Sequence, residues 1–303
     1  MDIIDFFGRS REEAAELDSE DIFDSVVDKL NEIRENDCNK GTFGTLGCIC
    51  GSYGMAGAAM LCGSAALTVG SGIVKMVLPK SIYPIAAANL WEAVYAPMEE
   101  SEKGTFSKET ASEIAEISNA CTAVVIGCGL SVCDDTQTVV ETVLKSCTKP
   151  VILDADGINC VSRNINVLDE RTAPTVLTPH PGEMSRLCGM SVREIQSNRE
   201  KIAADFADKY HCTLVLKGVN TVTSDGKKTV VNSTGNGSLA KGGSGDVLAG
   251  IIGSLVCQGA DPFNAAVSGV YLHGLAADDC VDNGYSLSCV IARDIIENIK
   301  YLM

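Results

Sequence analysis

Short apolar runs alternate with amphipathic stretches from about residue 40 onward. Apolar runs of strand length occur at 46–50, 73–78, 92–96, 123–127, 151–154, 175–178 and 213–216. Helical spacing of apolar residues, or helix start signals, occur at 58–69, 82–90, 110–118, 134–146, 191–210, 247–258, 265–280 and 289–301. This alternation predicts βαβ units, with a parallel sheet covered by helices on both faces.

The regular alternation stops near Asp225-Gly226, which two short β-prone segments flank at 221–223 and 229–231. Asp-Gly between such segments is a strong hairpin signal, so the sheet is expected to end in an antiparallel edge. The predicted class is therefore a three-layer α/β/α fold with a mostly parallel sheet. Ligands bind such folds at the carboxyl ends of strands, where Gly51, Gly129, Asp154 and Asp156 all fall.

Residues 1–39 are acidic and patterned as helix. Ser10 and Glu13 fit a capping box, and a later apolar face is formed by Ile22, Phe23, Val26, Val27, Leu30 and Ile33. We divide the chain into this helical extension, 1–39, and one domain, 40–303. The apolar face would pack either on the main domain or on another subunit.

Composition narrows the possible partners and location. The 303 residues are 46% hydrophobic and carry a net charge of −16, which argues against nucleic acid and anionic membranes. No apolar run is long enough to cross a bilayer, and the first residues lack a signal-peptide pattern, so we expect a cytoplasmic protein. We interpret the fourteen cysteines as reduced, buried small residues rather than metal or redox groups, and no metal ligand is assigned.

The segment 232–250 contains five glycines before Asp246 and then turns into an apolar helical run. Glycine backbone and a helix N-terminus together make an anion site, because unpaired amides and the helix dipole face the loop. Asp246 would lie beside a bound phosphate and is a candidate base for phosphoryl transfer to a hydroxyl. The alternative, that Asp246 only caps the helix, stays open on this pattern.

Other candidates lie at further strand ends. The glycine-rich loop 51–57 leads into a helix of small residues, which suits either ligand approach or close packing. His180 is held between two prolines at the ligand-binding edge, and we give it a functional role. Lys217 would either reach a phosphate or be a solvated lysine. His211 is expected in a surface turn and His273 in a packed helix.

Several segments, taken together, resemble one family. They are Gly51–Ala59, Leu153–Asp156, Thr178–Met184, Leu216–Gly218 with Thr221, and Gly242–Asp246. Over about residues 40–303 the chain is similar to the ADP/ATP-dependent NAD(P)H-hydrate dehydratases, which have a ribokinase-like fold. Thr178–Met184 is the most specific of these segments. Residues 1–39 are too short for the epimerase domain of many relatives, so we expect the stand-alone form.

The resemblance implies an activity. Such an enzyme phosphorylates the C6 hydroxyl of hydrated NADH or NADPH and eliminates phosphate, which restores the cofactor. The implied phosphoryl donor is ADP, giving AMP and phosphate, with ATP as the alternative donor and Mg²⁺ as the metal. The implied partners are the small-molecule substrate and further copies of the chain in a homo-oligomer, a tetramer being one expected state.

The resemblance also implies residue roles. Asp246 would take the proton from the substrate hydroxyl, and His180 would orient the substrate. The amides that would hold the transferring phosphate are those of Gly242, Gly243, Ser244 and Gly245. The nucleotide would be bound by Lys217, Gly218, Val219, Asn220, Thr221 and Gly245, with Asn236 shaping the loop near the phosphates. The hydrated cofactor would contact Ala58, Gly129, His180 and Asp246.

The sequence departs from the family pattern at four positions, none of which removes a proposed catalytic group. They are Cys128 and Gly237, where proline is expected, Gly157, where alanine is usual, and Lys241, where a small residue is usual. Lys241 would add a phosphate contact or face solvent, and it leaves the choice between ADP and ATP open. Two other functions remain: a ribokinase-like kinase of a vitamin precursor such as hydroxymethylpyrimidine, and a nucleotide sensor without catalysis.

Overall fold

One mixed sheet organises the protein. The computed structural model describes residues 18–303, and within them nine strands pair in the order β3-β2-β1-β4-β5-β6-β7-β8-β9. The strands are β1 (Thr45–Ile49), β2 (Ile73–Pro79), β3 (Val94–Met98), β4 (Ala123–Ile126), β5 (Val151–Leu153), β6 (Thr175–Leu177), β7 (Thr213–Leu216), β8 (Val222–Ser224) and β9 (Thr229–Val231). The first seven run parallel, and β8 and β9 add the antiparallel edge that the sequence predicts.

Helices cover both faces of this sheet. They are α1 (Ser19–Arg34), α2 (Ala56–Val69), α3 (Tyr83–Asn89), α4 (Ala111–Asn119), α5 (Asp134–Ser146), α6 (Ala155–Arg163), α7 (Pro181–Cys188), α8 (Val192–Ser197), α9 (Arg199–Tyr210), α10 (Ser244–Cys257), α11 (Pro262–Asp282) and α12 (Ala292–Ile299). One apolar cluster lies under α1, α2, α10, α11 and α12, and a second lies under α4, α5, α6, α7 and α9.

The strands show why two apolar layers form. Successive side chains of a strand point to opposite faces, and in β4 Ala123 and Val125 enter the first cluster while Val124 and Ile126 enter the second. All four side chains are fully buried. A strand that is apolar at every position therefore belongs in the centre of a three-layer α/β/α fold, which confirms the predicted class.

The strand order reverses between β1 and β4, because the chain moves to one side of β1 with β2 and β3 and to the other side with β4 onward. A crevice forms outside the carboxyl ends of strands at such a switch point, and it is the usual ligand site of open α/β sheets. The loops that follow β1 and β4 meet there, since Gly51 N donates to Cys128 O at 2.8 Å.

Helix α1 packs on the rest of the chain. Asp18 caps it by accepting from Glu20 N, and Phe23, Val26, Val27 and Leu30 join the first apolar cluster. The rings of Phe23 and Tyr271 lie 5.2 Å apart, which places the apolar face against α11. The predicted capping box at Ser10 and Glu13 lies outside the described residues. The division of the chain at residue 39 stays a prediction.

Two segments differ from the sequence-based expectation. The single helix predicted for 191–210 is two helices, because Asn198 adopts a non-helical conformation (φ −145°) between α8 and α9; asparagine competes with helical hydrogen bonding through its side chain. Helix α6 was not predicted after β5. Its Gly157 breaks the helical pattern in sequence, but the absent side chain leaves room for Ile126 O and the Cα of Gly127.

None of the helices in residues 18–303 combines the length and the apolar character that crossing a membrane requires.

Candidate active site

Most of the predicted site residues gather at the carboxyl edge of the sheet. Asp154 follows β5, His180 lies between β6 and α7, and Lys217 follows β7. The glycine loop before α10 lies beside them, since a methyl group added at Gly245 would be 3.4 Å from Lys217 Nζ and 3.6 Å from Asp154 Oδ2. The fold therefore brings together residues that are more than 90 positions apart in the chain.

Lys217 and Asp154 form an ion pair at this edge of the sheet. Lys217 Nζ lies 2.7 Å from Asp154 Oδ1, and Thr178 Oγ1 donates to the same oxygen at 2.6 Å. Asp154 is 1% exposed. Burial opposes the charge of Lys217, but Asp154 and Glu183 outweigh that effect and raise the pKa of the amine. Lys217 is therefore a mostly buried, charged cation at the end of a strand, paired with Asp154 rather than simply solvated.

Asp246 lies in the first turn of α10 and is partly buried. Gly243 is the N-cap of α10, and no side chain caps this helix, so Asp246 does not serve as the cap. Burial raises the pKa of Asp246 to about 9, with further increases from Cys128 and Asp154 that Lys217 only partly offsets. This carboxyl is therefore mostly protonated at neutral pH.

The loop before Asp246 offers free backbone donors. Within residues 18–303 the amides of Gly242, Gly243, Gly245 and Asp246 have no hydrogen-bond acceptor, whereas Ser244 N donates to Lys241 O and Val247 N to Gly243 O. Gly243 has φ +93°, a left-handed conformation that glycine adopts without strain. Four unpaired donors at a helix N-terminus make a site for a phosphate or another anion.

A buried histidine fixes the start of α10. His273 Nε2 lies 3.2 Å from Ser244 Oγ, and both residues are buried. Burial lowers the pKa of His273 to about 4, so the ring is neutral at neutral pH. The expectation that His273 is packed in a helix is confirmed, and its contact with the glycine loop is new. His211, as expected, ends α9 in an exposed turn.

Asn236 and Lys241 anchor the rest of the loop. Asn236 accepts from Ser238 N at 2.9 Å and donates to Ala277 O and Asp278 Oδ1, at 2.9 and 2.8 Å. Lys241 Nζ donates to the carbonyls of Ser288 and Val290, at 2.7 and 2.6 Å, so its amine is occupied by the chain preceding α12. The Lys241 amine is therefore bonded to backbone carbonyls rather than only to solvent.

His180 is the N-cap of α7. Its Nδ1 accepts from Gly182 N at 3.0 Å and from Glu183 N at 3.3 Å, so Nδ1 carries no proton and the neutral ring carries it on Nε2. Nε2 lies 3.4 Å from Glu183 Oε1. Burial, with Lys217 and Arg186 nearby, lowers the pKa of His180. About half of the His180 side chain is exposed, so its Nε2 proton can face a ligand.

Ala58 and Gly129, both predicted to contact the substrate, lie side by side. A methyl group added at Gly129 would approach the Ala58 Cβ to 2.8 Å, and Gly129 has φ +65°. Ser52 Oγ donates to Gly129 O at 2.8 Å and joins the two loops. The small residues of α2 also pack closely on α10, where a side chain at Gly250 would collide with Cys62 O. Close packing by small residues is therefore confirmed for this glycine-rich region, and ligand approach to its loop stays a prediction.

The segment 217–221 forms an exposed turn after β7. Thr221 Oγ1 accepts from Gly218 N at 3.3 Å and donates to Gly218 O at 2.9 Å. Asn220 has φ +54°, and Val219 is 90% exposed. The turn begins at Lys217, and residues 218–220 are exposed to solvent.

Sequence reasoning left Asp154 and Glu183 without a role. Asp154 was noted only as a strand-end residue, yet it is the partner of Lys217. Glu183 is 4% exposed, accepts from His180 N at 2.8 Å, and has a pKa raised by burial to about 7. Two features of the sequence could have indicated these residues. Asp154 directly follows an apolar strand, and the three-residue spacing between His180 and Glu183 is that of a capping box.

Comparison with known proteins identifies the family. The family model described as NAD(P)H-hydrate dehydratase matches residues 46–300. The chain belongs to the NAD(P)H-hydrate dehydratase family. The matched residues include all the candidate residues described above and all of the sheet except Thr45, so the resemblance seen in the sequence is confirmed.

Individual relatives of this chain support the family assignment. An ADP-dependent (S)-NAD(P)H-hydrate dehydratase of Neisseria meningitidis serogroup B is 37% identical over 273 residues, which covers 89% of this chain and 88% of the relative. A crystal structure of the ADP/ATP-dependent NAD(P)H-hydrate dehydratase from Bacillus subtilis, co-crystallised with ATP and Mg²⁺, superposes with a TM-score of 0.77 at 33% identity. That superposition covers 90% of this chain and 95% of the Bacillus chain. The fold is the expected ribokinase-like one.

Other relatives are longer. The bifunctional NAD(P)H-hydrate repair enzyme Nnr of Thermofilum pendens is 40% identical over 247 residues, which is 81% of this chain but 47% of the relative. The chain thus spans about half the length of the bifunctional relatives that it matches. The catalytic and binding roles of individual residues stay predictions.

Proposed function

We propose that this protein is an ADP-dependent (S)-NAD(P)H-hydrate dehydratase, which restores NADH or NADPH from its C6-hydrated form and yields AMP and phosphate. The observation that carries the proposal is the position of Asp246, a partly buried carboxyl at the end of four free backbone amides and beside the Lys217–Asp154 pair. Membership of the family and the names of relatives supply the substrate class.

The residues divide the reaction between them. Asp246, in its ionised form, takes the proton of the C6 hydroxyl while the phosphoryl group passes from ADP to that oxygen. The amides of Gly242, Gly243 and Gly245, on the loop that Ser244 and His273 hold in place, donate to the oxygens of the transferring phosphoryl group. Phosphate then leaves C6, and loss of a proton from the neighbouring ring carbon restores the double bond of the reduced cofactor.

Binding residues surround this centre. The turn from Lys217 to Thr221 holds the nucleotide, and the buried positive charge of Lys217 attracts its phosphates. Ala58 and Gly129, two small neighbouring residues, would contact the hydrated cofactor. His180 donates from Nε2 to orient it, since its Nδ1 is occupied by backbone amides.

Magnesium suits the oxygen atoms that are present. A magnesium site usually takes one or two carboxylates together with substrate phosphates. Oxygen atoms of Asp154 and Asp246 lie within 4.8 Å of each other beside the free amides. Asp154 Oδ2 would hold Mg²⁺ together with the nucleotide phosphates. The ion would neutralise charge on the transferring phosphoryl group.

ATP is the alternative donor. The Bacillus relative carries both nucleotides in its name and was crystallised with ATP and Mg²⁺, whereas the Neisseria relative is named for ADP. A cytoplasmic location and a homo-oligomer, including a tetramer, belong to the same proposal. Small-molecule substrates, rather than nucleic acid or membrane, fit the net charge of −16.

The experiment follows the reduced nicotinamide chromophore. Purified protein is mixed with hydrated NADH, Mg²⁺ and either ADP or ATP, while absorbance and released inorganic phosphate are recorded together. The proposal predicts one phosphate released for each reduced nicotinamide restored, with ADP faster than ATP. Phosphate without chromophore recovery, or neither signal from protein that binds ADP, would contradict it.

The vitamin-precursor kinase remains the second candidate because the same loop and Asp246 would serve it. That enzyme would leave a stable phosphoester and release no inorganic phosphate. A nucleotide sensor would bind ADP and turn over neither substrate.

A further inference from the structure

Three buried cysteines from distant parts of the chain meet beneath the glycine loops. Cys50 follows β1, Cys62 lies in α2 and Cys128 follows β4. Their Sγ atoms all lie within 4.8 Å of one another, and each residue is 0% exposed. All fourteen cysteines of the chain are free thiols in the structure. The sequence contains no Cys-x-x-Cys pair that would have indicated this cluster.

The backbone holds the cluster together. Gly51 N donates to Cys128 O at 2.8 Å, which fixes the residue after Cys50 against Cys128. Helix α2 packs across them, and Cys62 Sγ also lies 4.0 Å from Cys48 Sγ. The thiols therefore converge because of the fold.

The spacing suits a thiolate-bound ion. Zinc–sulfur bonds are about 2.3 Å long, so sulfur ligands around one ion lie roughly 3.8–4.0 Å apart. The three sulfurs are within an ångström of that arrangement. Thiolate ligands select soft cations over Mg²⁺ or Ca²⁺, which take oxygen ligands. The site is thus chemically distinct from the magnesium site proposed beside the phosphates.

We propose that Cys50, Cys62 and Cys128 bind one soft divalent cation, Zn²⁺ or its chemical analogue Cd²⁺, with three thiolate ligands. Each thiol releases its proton to solvent when its sulfur coordinates the ion. No oxidation or reduction is involved.

An occupied site would act on the carboxyl groups beside it. Cys128 also belongs to a second group, in which its Sγ and oxygens of Asp154 and Asp246 lie within 4.8 Å of one another. Three thiolates leave one position of a four-coordinate ion open. Lys217 and Thr178 occupy only Oδ1 of Asp154, and its Oδ2 lies 3.9 Å from Cys128 Sγ, so either Asp154 or Asp246 can fill that position. A carboxylate bound to this ion is withdrawn from magnesium binding or from proton transfer, and the ion therefore inhibits the enzyme.

The binding test needs no turnover. Reduced protein is titrated with Cd²⁺ while the ultraviolet band of cadmium–thiolate charge transfer is recorded, and equilibrium dialysis gives the ions bound per chain. We expect one ion per chain with a thiolate band. Cys62→Ala is expected to weaken binding by at least about 100-fold, because loss of an outer partner alone costs about 10–100-fold.

Two further variants complete the design. Cys212→Ala is the matched control, since Cys212 is a buried thiol in the opposite apolar layer, and it should bind Cd²⁺ as the wild type does. Cys50→Ala repeats the test if Cys62→Ala does not fold, with folding checked by circular dichroism. Wild-type affinity in the folded Cys62 or Cys50 variant, or bound Cd²⁺ without a thiolate band, would overturn the site.

Inhibition is a separate readout, and it alone rests on the proposed function. One equivalent of Cd²⁺ should abolish most wild-type dehydratase turnover and leave that of Cys62→Ala unchanged. Stoichiometric binding with full turnover would overturn the inhibitory effect. A wild-type protein that binds Cd²⁺ but restores no cofactor in the absence of Cd²⁺ would count against the dehydratase function and not against the thiol site.

Discussion

Lys217 Nζ and Asp154 Oδ1 lie 2.7 Å apart in a buried ion pair beside Asp246. Three carboxyl groups, those of Asp154, Glu183 and Asp246, interact with this cation, and it is bonded only to Asp154. Burial raises the pKa of Asp246 to about 9, Cys128 and Asp154 raise it further, and Lys217 offsets part of the increase. The two members of the ion pair therefore act on Asp246 in opposite directions, and burial is the main reason that its carboxyl is mostly protonated.

Replacing Lys217 should lower the stability of the protein, because buried Asp154 loses its partner in the ion pair. Lys217→Met leaves a buried carboxylate without its cation, and removal of one member of a buried pair costs about 3–5 kcal/mol. We expect a loss near the lower limit of that range, since the Lys217 side chain is 19% exposed. Urea denaturation measures the change in the free energy of unfolding.

The double variant Lys217→Met/Asp154→Asn is the control. It removes both charges, and the amide oxygen can still accept from Thr178, so most of the lost stability should return. ADP binding should stay weak in both variants, because the phosphate loses its cation. Equal instability of the single and double variants would show that the ion pair is not the cause.

Asp246 should make stability depend on pH. Its pKa is about 9 in the folded protein against 3.8 as the reference, so between these values the folded state binds more protons than the unfolded state. By linkage, stability is full at low pH and falls as pH rises toward 9. Asp246→Asn removes the titrating carboxyl and with it this loss of stability at higher pH. The variant should exceed the wild type by at least about 1 kcal/mol at pH 8, roughly one pKa unit of interaction.

The comparison of these two proteins at several pH values cancels the other titrating groups. The difference in the free energy of unfolding should shrink as pH is lowered from 8 to 5. A constant difference would indicate an ordinary pKa for Asp246.

His180 caps α7, and we propose that it also orients the substrate; one pair of variants can separate these two roles. Asparagine is among the best N-cap residues, so His180→Asn should keep the stability of α7 while losing the Nε2 donor. His180→Ala loses both, at an added cost of about 1 kcal/mol in unfolding free energy. Both variants should raise KM for the hydrated cofactor and leave ADP affinity unchanged. Normal kinetics for His180→Asn would restrict His180 to capping.

Gly245→Ala should separate folding from phosphate binding. The added methyl group meets Lys217 Nζ at 3.4 Å and Asp154 Oδ2 at 3.6 Å, which is ordinary van der Waals contact. Alanine also suits a helix better than glycine by about 1 kcal/mol, so thermal stability should be maintained or increased. Calorimetry should nevertheless show ADP affinity reduced about tenfold, because the methyl group enters the phosphate space. Gly237→Ala, in open space of the same loop, should bind ADP normally.

Much of the fold follows from local pattern. Fully apolar runs such as Ala123–Ile126 predicted central parallel strands, and Asp225-Gly226 predicted the antiparallel edge. Helix α6 was missed because Gly157 and its neighbours carry weak helix propensity, and contacts with β4 decide their conformation. Asn198 interrupts a helix that the apolar spacing predicted as continuous.

The site was predictable to the extent that strand ends and glycine loops mark it. Asp246, His180 and the glycine loop were found in that way. The pairing of Lys217 with Asp154 was not, because the two are 63 residues apart and come together only through the order of β5, β6 and β7. The contact between Ser244 and His273 and the meeting of Cys50, Cys62 and Cys128 also depend on tertiary structure alone.

The most direct test compares Asp246→Asn with the wild type on hydrated NADH, ADP and Mg²⁺. The variant should bind ADP with unchanged affinity, because asparagine keeps the shape of the side chain and the loop amides are intact. Restoration of NADH and release of phosphate should both fall by about 10²–10⁴-fold, the usual cost of losing a general base. Turnover at the wild-type rate would contradict the role of Asp246 and the mechanism built on it.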